Sequence, residues 1–163
     1  GAKNEIASPA YCNASTKPAT SETGKNVVDC GGKMKNSGFE LGFQDWTLYT
    51  SGYLGAYTKI SNRAHSGEKA ASFRLSIEQT ADIEKGTVIL DFWCLGSFKT
   101  IVFLPNQKSQ VSSDYCGSSF DTKTQYKNIR RVYQSTEAGK MTIRFSNEYS
   151  DSTTYIDDVN VTQ

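Results

Sequence analysis

Alternation with a period of two is the feature that most limits how this chain can fold. In residues 70–77, Ala71, Phe73, Leu75 and Ile77 fall on one side and Ser72, Arg74 and Ser76 on the other. Met141, Ile143 and Phe145 alternate with Thr142 and Arg144 in the same way. Successive side chains of a strand point to opposite faces, so the pattern predicts strands with one buried face. Residues 88–95 are nearly continuously apolar between Gly86 and Gly96, as in a strand covered on both faces. Further strands are read at 100–104, 127–133, 141–147 and 154–161, and residues 48–60 carry Tyr and Ile among Gly, Ser and Thr. No segment sustains the apolar spacing of a helix. Roughly eight strands separated by polar turns predict an all-β fold, an antiparallel β-sandwich.

Composition narrows the class. Lys and Arg total 18 against 17 Asp and Glu, a net charge of +1, so no strong field exists to gather nucleic acid or an anionic membrane surface. No apolar run is long enough to span a bilayer. Residues 1–35 hold two of the three prolines and no apolar period. They are expected to form an N-terminal arm or a linker to another module, leaving 36–163 as the folded domain. Cys12, Cys30, Cys94 and Cys116 are widely spaced and outside any C-x-x-C pair, which favours two disulfides over zinc and predicts an oxidising, secreted setting. Three pairings are open; Cys12–Cys30 with Cys94–Cys116 closes the shorter loops. Glycosylation sequons at Asn13 and Asn160 agree with secretion.

Three segments carry a family likeness: Asn36-Ser-Gly-Phe-Glu-Leu-Gly-Phe-Gln-Asp-Trp46, Ala64-His-Ser-Gly-Glu-Lys-Ala-Ala-Ser-Phe73 and Tyr155-Ile-Asp-Asp-Val-Asn-Val161. In this order the chain resembles the galactose-binding-like, jelly-roll sandwich of carbohydrate-binding modules of families 4, 9 and 22, over about residues 36–163. It departs from them at Tyr126, where a tryptophan is usual, and at Cys94 and Cys116. The resemblance implies a non-catalytic module that binds a polysaccharide or glycan. It also implies a structural Ca²⁺ held by the carboxylates of Glu40 and Asp157 and by carbonyl oxygens of Ser66 and Lys69. Gly38-Phe-Glu40 reads as an opening strand beside the closing one, with Phe39 inward and Glu40 on the opposite side. The two-residue gap between Ile156 and Val159 breaks the strand's phase and predicts a β-bulge at Asp157-Asp158, which would turn a carboxylate towards Glu40. Salt bridges to lysines are the alternative role for Glu40 and Asp157. Trp46 stands where the family buries a tryptophan.

No catalytic constellation is visible. His65 has no sequence neighbour that would make a dyad, and Asp157-Asp158 are adjacent rather than facing across a cleft as a glycosidase pair would. The aromatic residues carry the remaining signal, because sugars stack their C–H faces on Tyr and Trp. Tyr49, Tyr53 and Tyr57 recur every four residues, Trp93 points away from the face of Leu90 and Phe92, and Tyr115 and Tyr126 follow. Packing between strands is the competing role for each. The reading is a secreted glycan-binding monomer, alone or appended to another module. An adhesion protein using the same sandwich for protein contact is the alternative.

Overall fold

Ten strands pair into two five-stranded antiparallel sheets in a computed structural model that describes residues 32–147 and 151–163. The first sheet runs β1 (Thr47–Tyr49), β4 (Leu75–Ile83), β9 (Gly139–Asn147), β6 (Ser97–Phe103), β7 (Gln110–Tyr115). The second runs β2 (Lys59–Ser61), β3 (Ala70–Phe73), β10 (Thr154–Thr162), β5 (Gly86–Leu95), β8 (Lys127–Ser135). Their inward residues meet as an apolar core: Phe73, Leu90, Phe92 and Val161 from one sheet, Ile77, Ile143 and Phe145 from the other, all with no exposed surface. Phe145 packs edge-on against both Phe92 and Phe98, at 4.9 and 6.1 Å between centroids. The all-β antiparallel sandwich expected from the alternation is the observed architecture.

Two local readings are corrected. Residues 70–77 are not one strand. Leu75 takes φ 80°, and the chain changes sheets there, β3 pairing with β10 and β4 with β9. The apolar alternation runs unbroken across this corner, which is why it gave no warning. Gly38-Phe-Glu40 is a set of turns, not a strand; its neighbourhood with the closing strand is real, since the Val159 amide donates to the Ser37 carbonyl at 3.0 Å. Between β1 and β2 the chain forms a 3₁₀ turn, Tyr53–Tyr57.

The phase break in the closing strand is a bulge. The β10–β5 register shifts between Asp157 and Asn160, Asp158 adopts φ 51°, and Ile156, Val159 and Val161 are all fully buried. Trp46 is buried, stacked on Phe39 at 4.7 Å, and its indole N–H donates to the Asn36 carbonyl at 3.1 Å. Residues 32–35, assigned from sequence to the arm, lie on the sandwich: Met34 is buried and the Lys33 amide donates to the Val161 carbonyl at 2.7 Å. A disulfide, Cys94–Cys116, ties β5 of the second sheet to the end of β7 in the first. Cys12, Cys30 and Asn13 lie outside the described residues.

Candidate functional site: the outer face of the first sheet

The strand register assembles a polar and aromatic surface on the outer face of the first sheet. Cross-strand partners point to the same side, so the pairings Tyr49↔Ser76, Ser76↔Ser146, Ser146↔Lys99 and Lys99↔Ser113 form one row across all five strands. At the adjacent-strand spacing this row is about 19 Å long. Next to it run Glu78, Arg144 and Ile101. The Arg144 Nε–H donates to Glu78 at 2.7 Å, and the guanidinium lies over two rings, 5.1 Å from the centroid of Tyr49 and 5.3 Å from that of Phe103. A cation held by a carboxylate and two aromatic faces is fixed in orientation. Ser76 donates to Ser146 at 3.1 Å, and a hollow flanks this bond on each side. One, of about 240 Å³, is lined by Tyr49, Ser51, Leu75, Ser76 and Arg144. The other, of about 340 Å³, is lined by Lys99, Tyr115, Ser113, Ser146 and their neighbours. An exposed tyrosine therefore lines each hollow, Tyr49 on one side and Tyr115 on the other, and the two hollows with the serine pair between them make up the groove.

The two chain ends build a second polar cluster. The bulge buries Asp157 and Asp158 side by side. Asp157 Oδ2 accepts the amides of His65 at 2.8 Å and Ser66 at 3.2 Å. Asp158 Oδ2 accepts the Ser66 hydroxyl at 2.5 Å and pairs with His65 Nδ1 at 2.6 Å. Glu40 reaches the same turn and accepts the amides of Glu68 and Lys69 at 3.1 and 2.9 Å. Gly67, at φ 63°, is required there, because a Cβ would lie 2.5 Å from Glu40 Oε2. Burial, and secondarily the charge of Asp158, pushes the Asp157 carboxyl well above the ordinary range; burial likewise raises Glu40. His65 thus does have an acid partner, brought by the fold from 93 residues away. It is not a catalytic triad. Ser66 donates to the aspartate rather than to the imidazole, and His65 Nε2 is buried with no hydrogen-bond partner among the described residues.

The donor chemistry of this corner suits a hard cation. Asp158 Oδ1 is buried without a hydrogen-bond partner, and Gly38 lets the backbone approach it closely: a Cβ there would sit 3.1 Å from it and 4.0 Å from Asp157 Oδ1. Among the described residues no three His, Cys, Asp or Glu side chains are disposed to hold a metal by themselves; backbone oxygens would have to complete the shell. Ser66 and Lys69 meet the carboxylates through their N–H groups.

No family model and no curated protein matches this chain. Solved structures do. TmCBM61, in complex with β-1,4-galactotriose, superimposes with a TM-score of 0.65 at 23% identity, over 81% of this chain and 98% of that one. The CBM22-1 xylan-binding domain of Paenibacillus barcinonensis Xyn10C gives 0.57 at 10% identity, over 77% and 90%. The fold is that of a carbohydrate-binding module. A cyclase from Fischerella sp. TAU shares it, at 0.59 and 14% identity over 83% of this chain and 97% of the cyclase, so the fold alone does not set the chemistry.

Within the module fold the expected binding residues separate into groups. Tyr49 and Tyr115 stand at the two ends of the groove. Tyr53 and Tyr57 sit on the 3₁₀ turn, Tyr53 81% exposed and Tyr57 under the Arg74 guanidinium at 5.3 Å. Trp93 and Tyr126 lie across the sandwich around His65: Trp93 stacks on the imidazole, and Tyr126 donates its hydroxyl to the Arg63 carbonyl at 2.7 Å. Burial, then the Asp157 charge, raises the Tyr126 pKa well above its usual value. The two arginines of β8 also separate. Arg130 faces outward to Asp91, while Arg131 turns in to Asp114, which accepts from Thr100 as well. Sequence reasoning missed Arg144, Phe103 and Glu78 as a unit; their signal was the outward phase of β9, legible at Thr142 and Arg144.

Proposed function

We propose that this module binds a glycan chain in the groove between Tyr49 and Tyr115 and does not cleave it. The observation that carries the reading is Arg144, fixed by Glu78 between Tyr49 and Phe103 above a floor of serines. Sugar rings offer apolar C–H faces to aromatic residues and hydroxyls to charged and hydroxylic ones, and this face supplies both within reach of one another. Glu78 is engaged by Arg144, and among the described residues the one carboxylate that lines either hollow is Asp114, which Arg131 and Thr100 hold. General acid–base cleavage of a glycosidic bond uses two carboxylates across the scissile linkage, and this groove does not offer them.

In this reading Ca²⁺ sits at the chain-end corner, with Glu40 and Asp157 as carboxylate ligands and oxygens of the turn at Ser66 and Lys69 completing it. The ion would fasten the opening segment to the closing strand and take no part in sugar contact. The setting is extracellular, in keeping with the disulfide.

Retention on insoluble polysaccharides and binding to a glycan array test the groove. Binding that Tyr49→Ala weakens supports it. No retention on any glycan overturns it and favours protein contact, and release of reducing sugar from a bound polymer overturns the non-catalytic part.

A further inference from the structure

The loop between β7 and β8 begins where the groove ends. Tyr115, 65% exposed, lines the larger hollow, and the next residue is the disulfide-bonded Cys116. The loop then folds onto the turn between β5 and β6: the Cys116 amide donates to the Gly96 carbonyl at 2.8 Å, and the Gly96 amide to the Gly117 carbonyl at 2.9 Å. Gly96 adjoins Ser97, another lining residue of that hollow.

The tip is over-determined. Arg63, from the far sheet's side, donates to three of its carbonyls: Ser119 at 2.6 Å, Asp121 at 2.7 Å and Thr124 at 3.4 Å. The Arg63 carbonyl in turn accepts the Tyr126 hydroxyl, and its guanidinium lies 5.1 Å from the Tyr155 ring centroid. Ser118 Oγ accepts the amides of Phe120 and Asp121 at 3.2 and 3.3 Å. With the carbonyls on both sides of it anchored, Phe120 is nevertheless 76% exposed. A phenylalanine has no polar tip to place in water, so such a ring, on a backbone this constrained, is pre-organised to meet an apolar face. The chain on either side of it reads Ser118-Ser119 and Asp121-Thr122-Lys123-Thr124-Gln125, rich in hydroxyl and amide groups, with the one acid and the one base cancelling in charge.

We infer that Phe120 is a further stacking platform of the glycan site, receiving sugar units that run off the sheet beyond Tyr115, and that Arg63 is its positioning residue. The inference rests on the groove reading above and extends it from the sheet onto the loop. A ring with no hydrogen-bonding group selects for the C–H face of a sugar, and the rim supplies donors and acceptors for its hydroxyls. The site would therefore favour chains longer than the sheet alone accommodates.

Calorimetric titration of the whole chain with β-1,4-galactotriose and galactohexaose, and with xylotriose and xylohexaose, separates the possibilities. For whichever sugar the unaltered protein binds, the hexamer should exceed the trimer in affinity. Phe120→Ala should lower hexamer affinity about five- to tenfold and leave trimer affinity unchanged, as expected for loss of one aromatic contact. Arg63→Lys keeps the charge but cannot span three carbonyls, and it should give the same length-selective loss. A purely structural role for Arg63 would move both lengths together. Equal affinities in Phe120→Ala and the unaltered protein, with Tyr49→Ala still weakening both lengths, overturn the Phe120 assignment and leave the groove standing. No binding by the unaltered protein overturns both.

Discussion

The His65 imidazole lies flat against the Trp93 indole, ring centroids 3.8 Å apart and planes 13° from parallel. One face of the tryptophan is thereby used inside the molecule, and its partner on the neighbouring strand is Asp157. Trp93 sits on the second sheet, across the sandwich from the row that joins Tyr49 to Ser113.

Trp93→Ala should cost stability more than binding. The ring is half-buried, so the loss is expected at about 2 kcal/mol, below the range for a fully buried aromatic. Urea denaturation reads the first effect and glycan titration the second. A variant that keeps its denaturation midpoint but loses sugar affinity would restore Trp93 as a binding platform.

Tyr49→Ala should act in the opposite sense. Tyr49 is 44% exposed on the short edge strand β1, and its removal takes away one wall of a hollow and one of the two rings under Arg144. Affinity for a bound glycan should fall roughly tenfold, with the melting temperature within a few degrees of the unaltered protein. Unchanged affinity would move the site off this face.

How much of this was readable in the sequence depends on distance along the chain. Trp46, ten residues from Asn36 and carried by turn residues, was recognisable, as was the bulge, because both are local breaks in a pattern. The sheet change at Leu75 was hidden by alternation that continues through it. β7, Gln-Val-Ser-Ser-Asp-Tyr, was invisible because an edge strand exposed over most of its length needs no apolar face. The contacts of His65 with Asp158 and of Arg63 with the loop at Phe120 join residues more than 50 positions apart. Only register could bring those together, and register is set by the whole sheet.

Removing Ca²⁺ should lower the melting temperature. With EDTA the buried Asp157 and Asp158 and the half-buried Glu40 repel one another without the ion's charge between them, and excess Ca²⁺ should restore the midpoint. Asp157→Asn keeps the shape but removes the charge, so its midpoint should no longer respond to either reagent. A midpoint indifferent to EDTA in the unaltered protein would remove the ion from the proposal.

The same carboxylates fix the sign of the pH response. In metal-free protein Asp157 and Glu40 have raised folded-state pKa values, caused first by burial. The folded state then binds more protons than the unfolded chain between the two pKa values. Stability should rise as pH falls through the raised values and level off below the ordinary carboxylate range. Ca²⁺ should reverse the slope, since protons compete with it for the same oxygens. Urea midpoints across pH, with and without Ca²⁺, give the comparison; parallel curves would show that no ion binds these groups.

The disulfide should matter twice. Cys94 and Cys116 are 22 residues apart, and replacing both by serine should cost about 3 kcal/mol through the freed unfolded chain. It also releases the root of the loop that carries Phe120, while Arg63 still holds the tip. Stability and binding should therefore separate. At a temperature where the double variant remains folded, affinity for a trisaccharide should stay within about twofold of the unaltered protein, whereas a hexasaccharide should lose part of its advantage. If both lengths weaken equally, the disulfide supports the groove at Tyr115 rather than the loop beyond it.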